Sequence, residues 1–531
     1  MYMKRDSMSA YIAILYYIYG RFGMSLSKRY FSAFFISIFS GSGFLYGGGA
    51  IAQTNQPHDI VISGGRTIDP ESGLDANRYI GINDGKITAV SETPIEGAIE
   101  IDATGLIVSP GFIDIHSHAL NVPSTWMQAF DGVTTTLELE RGAWPLDTAY
   151  ANVATQGGLP LNYGYSVSWI DARMRTLGAS FDKLVSPEAS KKVLELIEQG
   201  IKEGAIGIGL LPGYVPETNR EEYYEAAKLA AKYNVPTFTH VRGKFLDEPG
   251  HVIEGYGEVL AAAAATGAHM HICHLSSSAT RLVPEASQMI RTAQQQGVRV
   301  TTETYPYGAG STVISAPFLR PEALHRTGIE SSSIVYLKTG ERPATNDRLA
   351  EIQDNDPMGL SIIHYLDTDK PEDAVFVDQA ITFPDGIIAS DAMPFTINGQ
   401  PFEAPAWPLP EDAITHPRSV GTFSRVLGYY VRERELLSLP DAIRRSTLLP
   451  AQLLETASPQ MRNKGRLQVG ADADVVIFDP ETIKDRATFE NPRLPSVGVK
   501  HLLVNGEFVI REATLQQEAR PGRPIRGEMR H

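Results

Sequence analysis

Between residues 110 and 460, short apolar runs alternate with amphipathic stretches, and that alternation leaves few folds open. The runs are residues 111–116, 134–140, 205–211, 237–240, 269–274, 299–304 and 387–390. Residues 186–200 and 220–233, lying between them, carry apolar positions at helical spacing. Alternating β and α over such a length predicts a parallel sheet covered by helices. A TIM-like (β/α)8 barrel over 111–460, α/β in class, is the leading form. The stretch of about 315–385 is long and irregular between two strands and is expected to be an insertion or lid.

The flanks have another texture. Residues 59–69 and 79–90 read as strands, with Asp84-Gly85 as a hairpin turn. Residues 471–479 and 501–509 repeat that style near the other end. The two flanks, 57–110 and 461–527, are therefore expected to pair into one small β-sandwich.

A formal net charge of −15 disfavours a nucleic-acid partner, whose usual footprint is a basic stripe. The chain has one cysteine, Cys273, which excludes an internal disulfide framework and a cysteine-only zinc site. Any metal must rest on histidines and carboxylates. Lys28 and Arg29, the apolar run 31–38 and Ala50-Ile51-Ala52 have the order of a secretory signal peptide. Cleavage after Ala52 and an exported protein, periplasmic or secreted, are expected. No later segment reaches the ~18 apolar residues of a membrane span, so no stable membrane association is expected after cleavage.

The chemistry starts at His116-Ser117-His118, where an apolar strand ends. Residues i and i+2 of a strand point the same way, so both imidazoles converge at the end where a barrel keeps its active site. His240 and His274 each end another apolar run, and Asp391 follows the run 386–390. Four histidines at three strand ends fit a divalent-metal site. A carboxylate after a late strand can ligate a metal and shuttle a proton.

The order His-x-His, His, His, Asp resembles the amidohydrolase superfamily. Further motifs are similar to the N-acyl-D-amino-acid deacylase (D-aminoacylase) family: residues 103–118, Asp131-Gly-Val-Thr-Thr, Glu303-Thr-Tyr-Pro-Tyr-Gly-Ala-Gly-Ser-Thr and residues 416–428. The resemblance spans about 58–527. It implies a barrel joined to a β-sandwich, with one or two zinc ions. It assigns His116, His118 and Asp391 to one metal site and His240 and His274 to the other. It also suggests that Tyr307 and Arg418 grip the carboxylate of an N-acyl amino acid.

The sequence departs from the family at the bridging ligand. The candidate middle strand, 205–211, has no lysine, and residues 136–142 lack the family's cysteine. Glu138 and Glu140 share a strand face there. Glu140 is favoured as the bridge because Glu138, the alternative, would sit ~7 Å deeper. Cys273 is expected to face away from His274, into the core. Ser276 stands where the family has a lysine, and Arg242 or Lys244 is a candidate replacement for that charge. The resemblance implies metal-dependent hydrolysis of N-acyl amino acids, of D configuration, with Asp391 moving the proton. Rival readings are a cyclic amidase of dihydroorotase or hydantoinase type, and a non-catalytic binding homologue. The second is disfavoured because every expected ligand is present.

Overall fold

The computed structural model describes residues 57–529 and places eight parallel strands in one sheet whose spatial order follows the chain. They are Phe112–Asp114, Val133–Ala143, Asn162–Ser168, Ile208–Leu210, Thr237–Thr239, Met270–Ile272, Val300–Thr304 and Ile387–Ile388. Parallel strands covered by helices are buried on both faces, so near-continuous apolar runs mark seven of them in the sequence. The third, Asn162–Ser168, has no such run, yet all its residues are buried. Backbone contacts close the barrel between the eighth strand and the first. The His118 N–H donates to Ala392 O at 2.8 Å. The Ser390 N–H and hydroxyl both donate to the buried Asp114 carboxylate. Burial pushes Asp114 up to about 6, against the pull of those donors.

The helix Pro187–Lys202 shows how the outer layer is written. The Ser186 hydroxyl caps its first turn, accepting from the Ala189 N–H, and Val193, Ile197 and Ile201 bury one stripe. Pro371–Ile381 is likewise an outer helix, packed against Val283–Gln295. The expected insertion is not irregular. Ala309–Val313, Ile334–Tyr336 and Leu360–His364 form a three-stranded antiparallel sheet between the seventh and eighth barrel strands. Its strands supply one wall of the central cavity.

Both flanks of the barrel join a single nine-stranded sheet. The seam is antiparallel, with Ile107–Pro110 paired to Val475–Phe478. The hairpin turns Asp84-Gly85 and Asn505-Gly506 hold both residues at φ between 50° and 81°, as a type I′ turn requires. The sheet curls until the Ile87 N–H reaches Ala471 O and the Ala473 N–H reaches Gly85 O. Ile62, Ile80, Val475 and Ile477 fill its interior. The chain's last stretch departs from the expected division. Pro524–Ile525 leaves the β domain and pairs with Tyr163 and Gly164 of the third barrel strand, where the short fourth strand leaves that edge open.

A buried polar knot ties the two domains. Lys464 Nζ donates to Asp474 Oδ2 at 2.6 Å, and Asp474 also accepts from Asn162 of the barrel and from the Asn505 N–H. Removing one partner strands the other charge away from water. Lys464→Ala is therefore expected to cost about 3–5 kcal/mol, read as a lowered urea midpoint.

Candidate metal and active site

The second barrel strand carries Leu137, Glu138, Leu139 and Glu140, with both leucines buried in the core. Its pairing with the third strand slips between Glu138 and Ala143, a bulge that lifts Glu140 towards the barrel mouth. The fourth strand makes room for it. A Cβ added at Gly209 would lie 2.3 Å from Glu140 O. A residue with a side chain at Gly209 would collide with the bulge that presents Glu140.

Glu140 faces two pairs of imidazoles. Its Oε1 lies 2.9 Å from both His240 Nδ1 and His274 Nε2. Its Oε2 lies 3.3 Å from His116 Nε2 and 3.6 Å from His118 Nε2. Asp391 Oδ1 is 3.5 Å from the same two Nε2 atoms. Glu138 occupies another place, at His118 Nδ1, 2.8 Å away. Glu303, in the seventh strand, accepts from His116 Nδ1 and lies 3.2 Å from His271 Nε2. A carboxylate on Nδ1 fixes the tautomer that leaves Nε2 bare as a ligand. Sequence reasoning quoted Glu303 without giving it a role. Its signal was the period of two from Thr301 through Glu303 to the strand's end.

The donor set suits metal ions. The paired nitrogens are 3.3 Å apart for His116 and His118, and 3.1 Å apart for His240 and His274. Two ligands at ~2.0–2.1 Å on a tetrahedral centre lie ~3.3 Å apart. The cluster also calls for positive charge. Burial opposes protonation of His116 and His118, but the carboxylates outweigh it, Asp391 foremost for His116 and Glu138 for His118. Both rings are raised well above the ordinary imidazole range. His274 and Asp391 take φ of 39° and 51°, a left-handed conformation rare outside glycine and concentrated at functional sites.

The family model for the amidohydrolase family matches residues 100–510. The chain belongs to the amidohydrolase family. N-acyl-D-glutamate deacylase of Alcaligenes xylosoxydans xylosoxydans is 30% identical over 508 residues, spanning 88% of this chain and 96% of that protein. D-aminoacylase of the same organism is 26% identical, spanning 86% and 96%. Among solved structures, N-acyl-D-glutamate deacylase from Bordetella bronchiseptica, complexed with zinc and a phosphonate mimic of the tetrahedral intermediate, superposes with a TM-score of 0.71. It is 26% identical and covers 89% of this chain and 100% of that one. The histidine–carboxylate cluster offers two groups of three ligand atoms close enough together to hold a metal ion, His116 with His118 and Asp391, and Glu140 with His240 and His274.

Three expectations about the amidohydrolase cavity need correction. Tyr307 does not line it. The Tyr307 N–H donates to Tyr305 O across Pro306, a tight turn that sends the two rings apart. Tyr307 packs edge-on to His416 and under the Arg425 guanidinium, whereas Tyr305 lines the cavity. Arg242 is also turned away, held by Glu258 at 2.8 Å and by Pro216 O at 2.7 Å, while Lys244 enters the cavity. Gly243 at φ 87° permits that divergence. Cys273 does not face away. Its thiol lies with His116 and Glu140, with ligand atoms within 4.8 Å of one another. The left-handed turn at His274 breaks the strand's alternation, so successive residues both reach the centre.

Arg418 opens the helix Arg418–Arg425 and is 1% exposed. Its Nη2 donates to Ser311 O at 3.3 Å and forms an ion pair with Asp391 Oδ1 at 2.9 Å, and its guanidinium stacks over Tyr305 at 4.5 Å. Among the described residues, Nε and Nη1 find no hydrogen-bond partner. Burial pushes the Asp391 carboxyl up, but Arg418 and the nearby imidazoles hold it well below the usual carboxylate range.

Proposed function

We propose that this enzyme hydrolyses the amide bond of N-acyl-D-amino acids to a carboxylate and a free D-amino acid, on a centre of one or two zinc ions. The observation that carries the reading is Glu140. Its two oxygens each face a separate imidazole pair, beside an ionised Asp391. D configuration is supported by the relatives matched over nearly the whole described chain, which are a deacylase of N-acyl-D-glutamate and a D-aminoacylase.

His116, His118 and Asp391 would hold one ion, and His240 and His274 with Glu140 a second. An ion bound there brings the pKa of a water towards ~7 and polarises the amide carbonyl. The remaining steps belong to the chain. Arg418 Nη1, with the Tyr305 and Ser311 hydroxyls lining the same wall, receives the substrate carboxylate. Arginine suits this task through its planar fork of donors. Phe181, Leu211, Phe318 and Met358 shield the acyl group from solvent. Asp391, kept ionised by Arg418, accepts the proton of the attacking water. The C–O bond forms as that proton leaves the water, and Asp391 returns the proton to the amine nitrogen as the C–N bond breaks.

The two tyrosines separate this carboxylate site from a neighbour. Tyr305→Phe is expected to raise KM about 10-fold, the cost of one hydrogen bond to a charged group. Tyr307→Phe, which removes a buried hydroxyl without a partner, leaves KM within a factor of two. Steady-state kinetics on one N-acetyl-D-amino acid checks both.

The reading itself is tested by comparing linear N-acyl-D-amino acids with hydantoin and dihydroorotate. Turnover of the linear amides supports it. Turnover of the cyclic amides alone would replace it with a cyclic amidase on the same centre. Export with cleavage after Ala52 is proposed as well, resting on the charged, apolar and Ala-x-Ala segments, which lie outside the described residues. Mass spectrometry of the native N-terminus checks it, and a retained segment 1–52 would contradict it. Among the described residues, no helix is long and apolar enough to cross a membrane.

A further inference from the structure

Among the described residues, the buried cation Lys244 has no carboxylate within ion-pair distance. It is 8% exposed and lines the cavity that holds His240, His274, Asp391 and Arg418. Among the described residues, its hydrogen bond runs from Nζ to Ser277 O at 2.9 Å. The ammonium is flanked by the Phe318 and Tyr365 rings, with centroids 5.2 and 5.1 Å away. Aromatic faces attract and orient a cation, but they do not neutralise it. An ammonium has three donors, and burying it without a counter-ion is costly.

The neighbouring charges do not supply that counter-ion. Glu140 and Asp391 attract the Lys244 ammonium and Arg418 repels it, but no carboxylate among the described residues stands within ion-pair distance of it. Asp391 is committed to Arg418, and Glu140 to the four imidazoles. Arg141 also lines the cavity, but it is paired with Asp171. Arg242, two residues before Lys244, is spent on Glu258. Besides Arg141, the cavity therefore holds two cations with donors left to offer a ligand, Arg418 through Nη1 and Lys244 through its ammonium. A substrate with a single carboxylate on Arg418 leaves Lys244 unpaired.

We propose that Lys244 is a specificity-determining residue that receives a second carboxylate, making the enzyme selective for N-acyl amino acids with an acidic side chain. This rests on the deacylase reading above. The backbone explains how the residue gets there. Gly243 at φ 87° leaves no space for a side chain, since a Cβ would lie 2.7 Å from Gly250 O, and its turn directs Arg242 outward and Lys244 inward. Ser276 and Ser277, at the start of the following helix, bring only hydroxyls and carbonyls, so Lys244 is the charge on this wall.

The test compares N-acetyl-D-glutamate with N-acetyl-D-glutamine, which match in shape and differ in charge, on the metal-reconstituted full protein. A site built to pair a charged group rejects an analogue lacking it strongly, so a kcat/KM ratio of ~100 or more in favour of glutamate is expected. In Lys244→Met, which keeps the packing on Phe318 and Tyr365, the ratio falls below about 5. Lys244→Arg restores part of it. A ratio near one in the wild type, or an unchanged ratio in the methionine variant, overturns the role of Lys244 and leaves the deacylase reading standing. Turnover of neither substrate overturns the deacylase reading instead. Calorimetry with free D-glutamate and D-glutamine then judges Lys244 separately. A glutamate preference that Lys244→Met abolishes supports the assignment, and equal binding overturns it.

Discussion

Asp391→Asn is expected to lower kcat about 10³-fold, within the range a positioned general base contributes. Asparagine has the shape of aspartate, and its carbonyl oxygen can still accept from Arg418 Nη2, which now lies 2.9 Å from Asp391 Oδ1. The left-handed backbone at this position also tolerates asparagine better than most residues. The change therefore removes the proton acceptor and little else. The melting temperature stays within a few degrees, and metal content is retained through His116, His118 and Glu140. Loss of kcat without loss of metal is the signature. Loss of metal in parallel with activity would show Asp391 acting as a ligand alone.

Glu140→Gln is expected to be more damaging to the centre itself. A neutral amide offers one oxygen where Glu140 offers two, and that carboxylate alone faces both imidazole pairs. Metal content after dialysis, measured by inductively coupled plasma mass spectrometry, falls below that of the unchanged protein. Activity falls by more than the ~100-fold that changes to outer partners of a metal site cost. Glu138→Gln is the comparison. It meets one imidazole, at His118 Nδ1, and accepts from the Arg141 N–H, so its effect on metal affinity stays within ~10–100-fold. An equal loss of metal in both variants would contradict the assignment of the bridge to Glu140.

The sequence and the structure part company for physical reasons that can be named. Seven barrel strands were readable because a strand buried on both faces is written as an apolar run. The third was not, because Asn162 and Ser166 satisfy their buried polar groups internally, on Asp474 and on Leu139 O. The histidines at strand ends were readable because i and i+2 share a face. The choice between neighbours failed where the backbone leaves the strand. Pro306 parts Tyr305 from Tyr307, Gly243 parts Arg242 from Lys244, and the left-handed His274 brings Cys273 round to the centre. Local turns of that kind are set by packing of the whole barrel mouth, and residue pattern does not report them.

The most direct test of the account is chiral analysis of the amino acid released from racemic N-acetyl-amino acids by the zinc-reconstituted protein. The account predicts release of the D enantiomer, dependent on added zinc and abolished in Asp391→Asn. Release of the L enantiomer, or turnover that persists after the metal is removed, would contradict it.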